Sequence, residues 1–292
     1  MIVSGTCFLI VSNHRKTIMA IDTEMIMKVG LELAGWNKLP ADSAVHVKGK
    51  GIRKVLIAID VTVAELILAK NLGCDAVIAH HPIGVAAINF YKVFDRHIDY
   101  MTEHGVPKKI ATSALRKLQE RVKTRTHADI YSAVVGGAQL LQMPLVNIHQ
   151  PCDEYMRKMI LDKIHSWRPK VESVSDIVES VREIPEFRNA ATRVMVGLGN
   201  KKNRAGHWAL VVAAGTNGGY HIAKAYFEHK VSTVIYLHID YNDLQKMRKE
   251  KLNGNLVVLG HLAGDSIGLN GLANRLESIG VETIRVGLLG DK

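Results

Sequence analysis

Aromatic residues are scarce in this chain, at 5% of 292 positions, so its cores have to be filled mainly by Val, Ile, Leu, Ala and Met. No apolar run approaches the ~18 residues needed to span a bilayer, and no membrane association is expected. Cysteine is scarce too. Cys7, Cys74 and Cys152 are an odd number with no CxxC pair, which excludes a disulfide framework or a zinc ribbon and fits a reducing, cytoplasmic setting. RNP, helix-turn-helix and zinc-finger patterns are absent. So are a Ser-His-Asp arrangement and a cysteine in a nucleophile-like context.

What is present is ordinary globular usage, 47% hydrophobic and 23% charged, over a length that suggests about two domains. Thirty-eight Lys and Arg against 28 Asp and Glu leave a formal +10. Such a surface attracts anions: phosphorylated metabolites, nucleotides or nucleic acid. The excess is spread along the chain and serves solubility equally well, and no motif supports nucleic acid.

Residues 1–18 read as an extension. They begin apolar without a basic n-region, run into Asn13-His14-Arg15-Lys16, and precede a more natural start at Met19. Asp22-Thr23 then caps an amphipathic helix running through Leu33. Val55–Ile59 and Ala76–Ala79 are short apolar runs of the kind buried parallel strands show, with a helix between them from Thr62 to Leu72 closed by Gly73. Residues 98–125 form a long basic helical stretch, in which His97 and His104 read as exposed. The segment from Cys152 to Asn189 is helical and is read as a connection rather than a third core.

Alternation resumes with strands at 209–213, 234–237 and 256–259, a last helix from Ser266 to Ile279, and a last strand at 281–286. The expected class is α/β, two linked parts with mostly parallel sheets flanked by helices. The boundaries are 19–150 for the first part, 151–195 for the helical connection and 196–292 for the second. The two halves share a loose plan without a residue-level repeat.

In open α/β sheets, functional groups gather beyond the carboxyl ends of strands. Ala79-His80-His81-Pro82 stands at one such end. Adjacent imidazoles leaving a strand diverge, so they serve either as turn histidines or as one ligand each to two neighbouring ions. Gly260-His261-Leu-Ala-Gly-Asp265 stands at another. If a helix begins at 261, His261 and Asp265 share a face and suit a divalent metal; otherwise Asp265 caps the helix that follows. Asp129, two residues after His127, is a third candidate ligand or simply a loop residue. His149, in Asn147-Ile-His149-Gln-Pro-Cys152-Asp153, is a substrate-side or alternative ligand candidate. His127 and His149 are the available guesses for a general acid, and His238 with Asp240 ends a further strand. The loop Gly215-Thr-Asn-Gly218-Gly219 either holds a phosphate on its amides or is a plain tight turn.

Taken together, Ile57-Ala-Ile-Asp60, Ala79-His80-His81-Pro82, the loop 215–219 and Gly260-His261 with a carboxylate four residues on resemble the NIF3 family, the type 2 GTP cyclohydrolase I-like group. The resemblance spans most of the chain from about residue 19. It implies a dinuclear metal centre in a cavity and a ring-shaped homohexamer. His80 and His81 would each bind one metal, His261 would be a further ligand, Asp265 would bridge, and Asp129 would complete the set. The chain departs from the family in having Asp at 265 where Glu is usual. The family's middle element, resembling His-Thr-Asn-Leu-Asp, is matched poorly by Thr126–Tyr131.

The expected function is that of a cytoplasmic, metal-dependent hydrolase with two divalent ions (Zn, Fe, Mn or Ni) acting on a nucleotide or phosphorylated small molecule. The rival is a non-catalytic ring-forming scaffold or regulator with a structural metal.

Overall fold

A computed structural model of the chain describes residues 20–212 and 217–290. The extension and Gly215 therefore lie outside the described residues. Helix α1 (Thr23–Ala34) leads to β1 (Ala44–Val47), β2 (Lys54–Ala58), α2 (Val63–Asn71) and β3 (Ala76–Ala79). A long helical crossover follows: α3 (Gly84–Ile88), a 3-10 turn over Phe90–Asp95, α4 (Arg96–Glu103), α5 (Lys108–His127) and α6 (Ala133–Leu141), ending in β4 (Leu145–Asn147). Then come α7 (Gln150–His165), α8 (Val174–Arg182), α9 (Pro185–Asn189), β5 (Met195–Leu198) and β6 (Trp208–Leu210). The chain closes with α10 (Gly219–Glu228), β7 (Thr233–Tyr236), α11 (Tyr241–Lys249), β8 (Asn255–Val258), α12 (His261–Ser278) and β9 (Glu282–Val286).

Two sheets result, ordered β1-β4-β3-β2-β9 and β5-β8-β7-β6. Each has one antiparallel edge, β1 on β4 and β5 on β8, with a register shift in both, and the remaining pairs are parallel. The order 1-4-3-2 is thus repeated as 5-8-7-6, which gives the loose plan common to both halves a definite form.

The inner strands are apolar on both faces because both faces are covered. In the first sheet Ile57 and Ile78 meet Ile26 of α1 and Leu272 of α12, while Leu56 and Val77 meet Leu66 of α2 and Ala138 of α6. In the second, Ile235 and Val257 meet Ile177 of α8 and Ile267 of α12, while Val234 and Leu256 meet Leu115 of α5 and Tyr226 of α10. Such double coverage is why these strands read as continuous apolar runs rather than alternating ones.

Helices α7 and α12 belong to both cores. Cys152 and Leu272 pack with the first sheet, Met156 and Ile267 with the second. Their close approach depends on Gly268, where a Cβ would stand 2.6 Å from the carbonyl oxygen of Cys152. The segment read as a connection therefore supplies core to the second sheet. Another difference is at the C-terminus: β9, read with the second half, pairs in parallel with β2 of the first sheet.

The basic stretch is two helices rather than one. Gly105 in the left-handed region and Pro107 at the start of α5 break it. His97 is fully buried, and His104 is half-buried with its Nδ1 2.9 Å from Nε2 of His207; neither is the exposed histidine the sequence suggests. Among the described residues no helix is long and apolar enough to cross a membrane.

Candidate metal centre

Three strand ends converge on one point. Strand β3 runs directly into His80 and His81, and His149 follows β4 at the N-cap of α7. His261 is the first residue of α12, after β8 and Gly260, whose φ of +126° suits glycine at that sharp entry. Because α12 begins at His261 and not at Ser266, Asp265 lies one turn into the helix on the face of His261 and is not its cap. Their Nε2 and Oδ2 atoms are 3.1 Å apart. Helix α7 repeats the arrangement, with Asp153 four residues after His149.

The imidazoles are oriented from behind. His149 Nδ1 is 2.7 Å from Asp42 Oδ2, His81 Nδ1 is 2.7 Å from Asp60 Oδ1, and His80 Nδ1 is 3.2 Å from the Ile148 carbonyl oxygen. Carbonyl and carboxylate oxygens accept, so each Nδ1 carries a proton and donates it, and each Nε2 is turned toward the centre. His80 Nε2 lies 3.2 Å from Asp153 Oδ1 and 3.7 Å from Asp265 Oδ1. His81 Nε2 lies 3.3 Å from Asp265 Oδ2 and 3.3 Å from His261 Nε2.

Three overlapping trios have ligand atoms within 4.8 Å of one another: His80-His81-His149, His81-His261-Asp265 and His80-Asp153-Asp265. Ligands about 2.1 Å from an ion in tetrahedral or octahedral geometry are about 3.0–3.4 Å apart, the range most of these distances occupy. Buried His80 Nε2 and Asp265 Oδ2 nevertheless have no hydrogen-bond partner among the described residues. They aim at shared points rather than at each other. An unpaired buried charge costs several kcal/mol, so the donor set fits a divalent cation of the Zn, Fe, Mn or Ni kind.

The electrostatics agree. Burial works against ionisation of Asp265, yet the charge of His80 and the imidazoles of His261, His80 and His81 beside it hold its pKa well below the carboxylate range. Burial likewise opposes a charged His80, but the Asp265 charge and the adjacent Asp153 carboxylate outweigh it and raise its pKa well above 6.5. Without cations, a proton on His80 offsets carboxylate charge.

The cluster lines a cavity of about 770 Å³ that α5 lines as well. Asp129 lines the same cavity but is exposed and belongs to none of the trios; it follows α5, which packs on the second sheet. His127, at the end of α5, is exposed and is not among the cavity-lining residues. Asp153 takes the place in the cluster that sequence reasoning gave to Asp129. The signal for it was present: His149-x3-Asp153 has the spacing of His261-x3-Asp265, follows an apolar strand in the same way, and matches the spacing of the family's middle element.

His238, at the end of β7, packs its ring 4.4 Å from that of His261; burial and the His261 charge push it down to about 4. Gly218 and Gly219 lead into α10, and a Cβ at Gly219 would lie 2.5 Å from Asp243 Oδ2.

The molecule is thus a two-sheet α/β protein with a buried His/Asp cluster of metal-holding geometry at the ends of strands from both sheets. It belongs to the NIF3 superfamily. The chain is 42% identical to the NIF3 superfamily protein of Sphaerobacter thermophilus, with a TM-score of 0.88, covering 92% of this chain and 99% of that one. The fold is also similar to reduced HcgD of Methanocaldococcus jannaschii (12% identity, TM-score 0.59, 92% and 99% covered) and to Staphylococcus aureus SA1388 (12%, 0.51, 89% and 94%). No family model and no curated protein matches the chain.

Proposed function

We propose that the protein is a metal-dependent hydrolase that binds two divalent ions and acts on a nucleotide or another phosphorylated small molecule. The observation that carries this is the convergence of four Nε2 atoms and two buried carboxylates in a substrate-sized cavity. His80 with Asp153, and His81 with His261, would hold one ion each, Asp265 would bridge them through its two oxygens, and His149 would serve the Asp153 side. Ions so held lower the pKa of water and stabilise developing negative charge. Asp42 and Asp60 keep the imidazoles of His149 and His81 aimed at the ions. In the overall hydrolysis, the oxygen of water joins the electrophilic atom and its protons pass to the two products.

Elemental analysis with a screen of nucleotides and phosphoesters, using Mn²⁺, Zn²⁺ or Fe²⁺, tests this reading. Turnover abolished by chelator and metal content lost in His80→Ala and His261→Ala are the expected results. Unchanged metal content in both variants rejects the centre; metal without turnover favours the scaffold.

Assembly into homohexamers in the cytoplasm belongs to the same proposal. Leu140 and Ile130 are 89% and 85% exposed in the single chain, which supports a further interface. Free, buried Cys74 and Cys152 are in keeping with a reducing compartment. Native mass spectrometry reads the oligomer directly.

A further inference from the structure

The cavity has a second set of lining residues, and its chemistry differs from that of the cluster. Helix α5 contributes Leu118, Arg121, Val122, Arg125 and Thr126 at helical spacing, and Asp129 follows just past the end of the helix. The lining also includes Phe90, whose ring stands edge-on 5.2 Å from that of His149, and Ile239 from beyond β7.

Much of the polar lining is already engaged. Asn217 Oδ1 accepts from the backbone N–H groups of Leu237 and His238. Asp240 caps α11 by accepting from the N–H groups of Asn242 and Asp243. The Thr126 hydroxyl donates to the Val122 carbonyl. Arg121 donates to Asp243 Oδ2 at 3.0 Å. Arg125, one turn further along, also lines the cavity, and among the described residues no ion pair joins it to Asp129 or to any other carboxylate.

Resting on the hydrolase reading above, we infer that Arg125 is the anion-recognition residue of this cavity. Its ligand is a planar heteroaromatic molecule carrying a phosphate or similar anion that Arg125 meets. A guanidinium without a counterion presents a fork that fits a phosphate bidentately. The apolar part of the wall, with Phe90, Phe94, Leu118, Val122 and Ile239, accepts a flat ring more readily than a polyhydroxylated sugar, whose hydroxyls would lose water against it. The volume of about 770 Å³ accommodates both parts at once.

Calorimetric titration of AMP, adenosine and glucose 6-phosphate into the Mn²⁺-loaded full chain, and into the same chain after chelation, tests the assignment. AMP is expected to bind at least about tenfold more tightly than either of the others, with or without metal. Arg125→Gln, an exposed substitution, should erase the preference for AMP over adenosine, while Lys117→Gln on the same helix but outside the cavity leaves it intact. Equal affinity for AMP and glucose 6-phosphate, or no binding of any probe, overturns the proposal. A preference that survives Arg125→Gln but disappears on chelation puts the phosphate on the cations. That result removes the role of Arg125 and leaves the hydrolase reading standing. If instead Arg125-dependent AMP binding holds while metal-dependent turnover is never found, the hydrolase reading is what falls.

Discussion

The two sheets are built on one plan, yet they equip the centre unequally. In the first, the ends of β3 and β4 deliver three imidazoles, and each has its Nδ1 fixed by an oxygen behind it, from Ile148, Asp60 or Asp42. In the second, the ends of β7 and β8 deliver His238 and His261. His238 leans on the ring of His261 and belongs to none of the three trios. His261 relies on Asp265, four residues along its own helix. A repeated topology thus places side chains at equivalent strand ends, while the groups behind them determine which are held as ligands. The repeat also explains why α7 and α12 meet with a His-x3-Asp pair on each: both follow the fourth strand of their sheet.

The largest contrast is between Asp265 and His238. Asp265 is shared by two trios, so Asp265→Ala should remove all tightly held metal, read by elemental analysis after dialysis. His238→Ala should leave metal content unchanged. If His238→Ala empties the site as completely, the unequal roles of the two strand ends are disproved.

Smaller is the effect of the orienting carboxylates. Asp42→Asn and Asp60→Asn should each weaken metal binding about 10–100-fold, the range usual for groups that orient a ligating histidine. Competition titration with a chromophoric chelator measures it. Affinities unchanged in both would mean that the first half gains nothing from its rear support.

The mildest effect concerns pH. His80 must release its proton to ligate, and in the cation-free chain its pKa lies well above 6.5. Metal binding therefore releases protons over a window extending above pH 6.5, and affinity rises with pH through that window. Acidification should expel metal at a higher pH than an ordinary exposed imidazole would require. Metal affinity measured from pH 6 to 9 should show this slope in the wild type, and it should flatten in His80→Asn.

How far this was legible in the sequence differs from element to element. Asp22 and Thr62 announce α1 and α2, and both side chains do cap those helices. The apolar runs at 55–59, 76–79, 234–237 and 256–259 mark four buried strands because double coverage leaves no polar face. His-His-Pro and Gly-His-x3-Asp were visible as strand-end groups. Asp153 is harder to read from the sequence because Gln150, Pro151 and Cys152 between it and His149 carry no helix signal of their own.

Local order, then, was set by the residues themselves: caps, apolar runs and i, i+4 spacing act over a few positions and need no distant partner. The meeting of Asp153 with His80, the exclusion of Asp129 from the cluster, and the return of β9 to β2 were decided by packing. Each depends on how α7 and α12 wedge between the sheets and on where α5 is drawn by the second core. Contacts between positions seventy or more residues apart leave no periodicity for a reader of the chain to find.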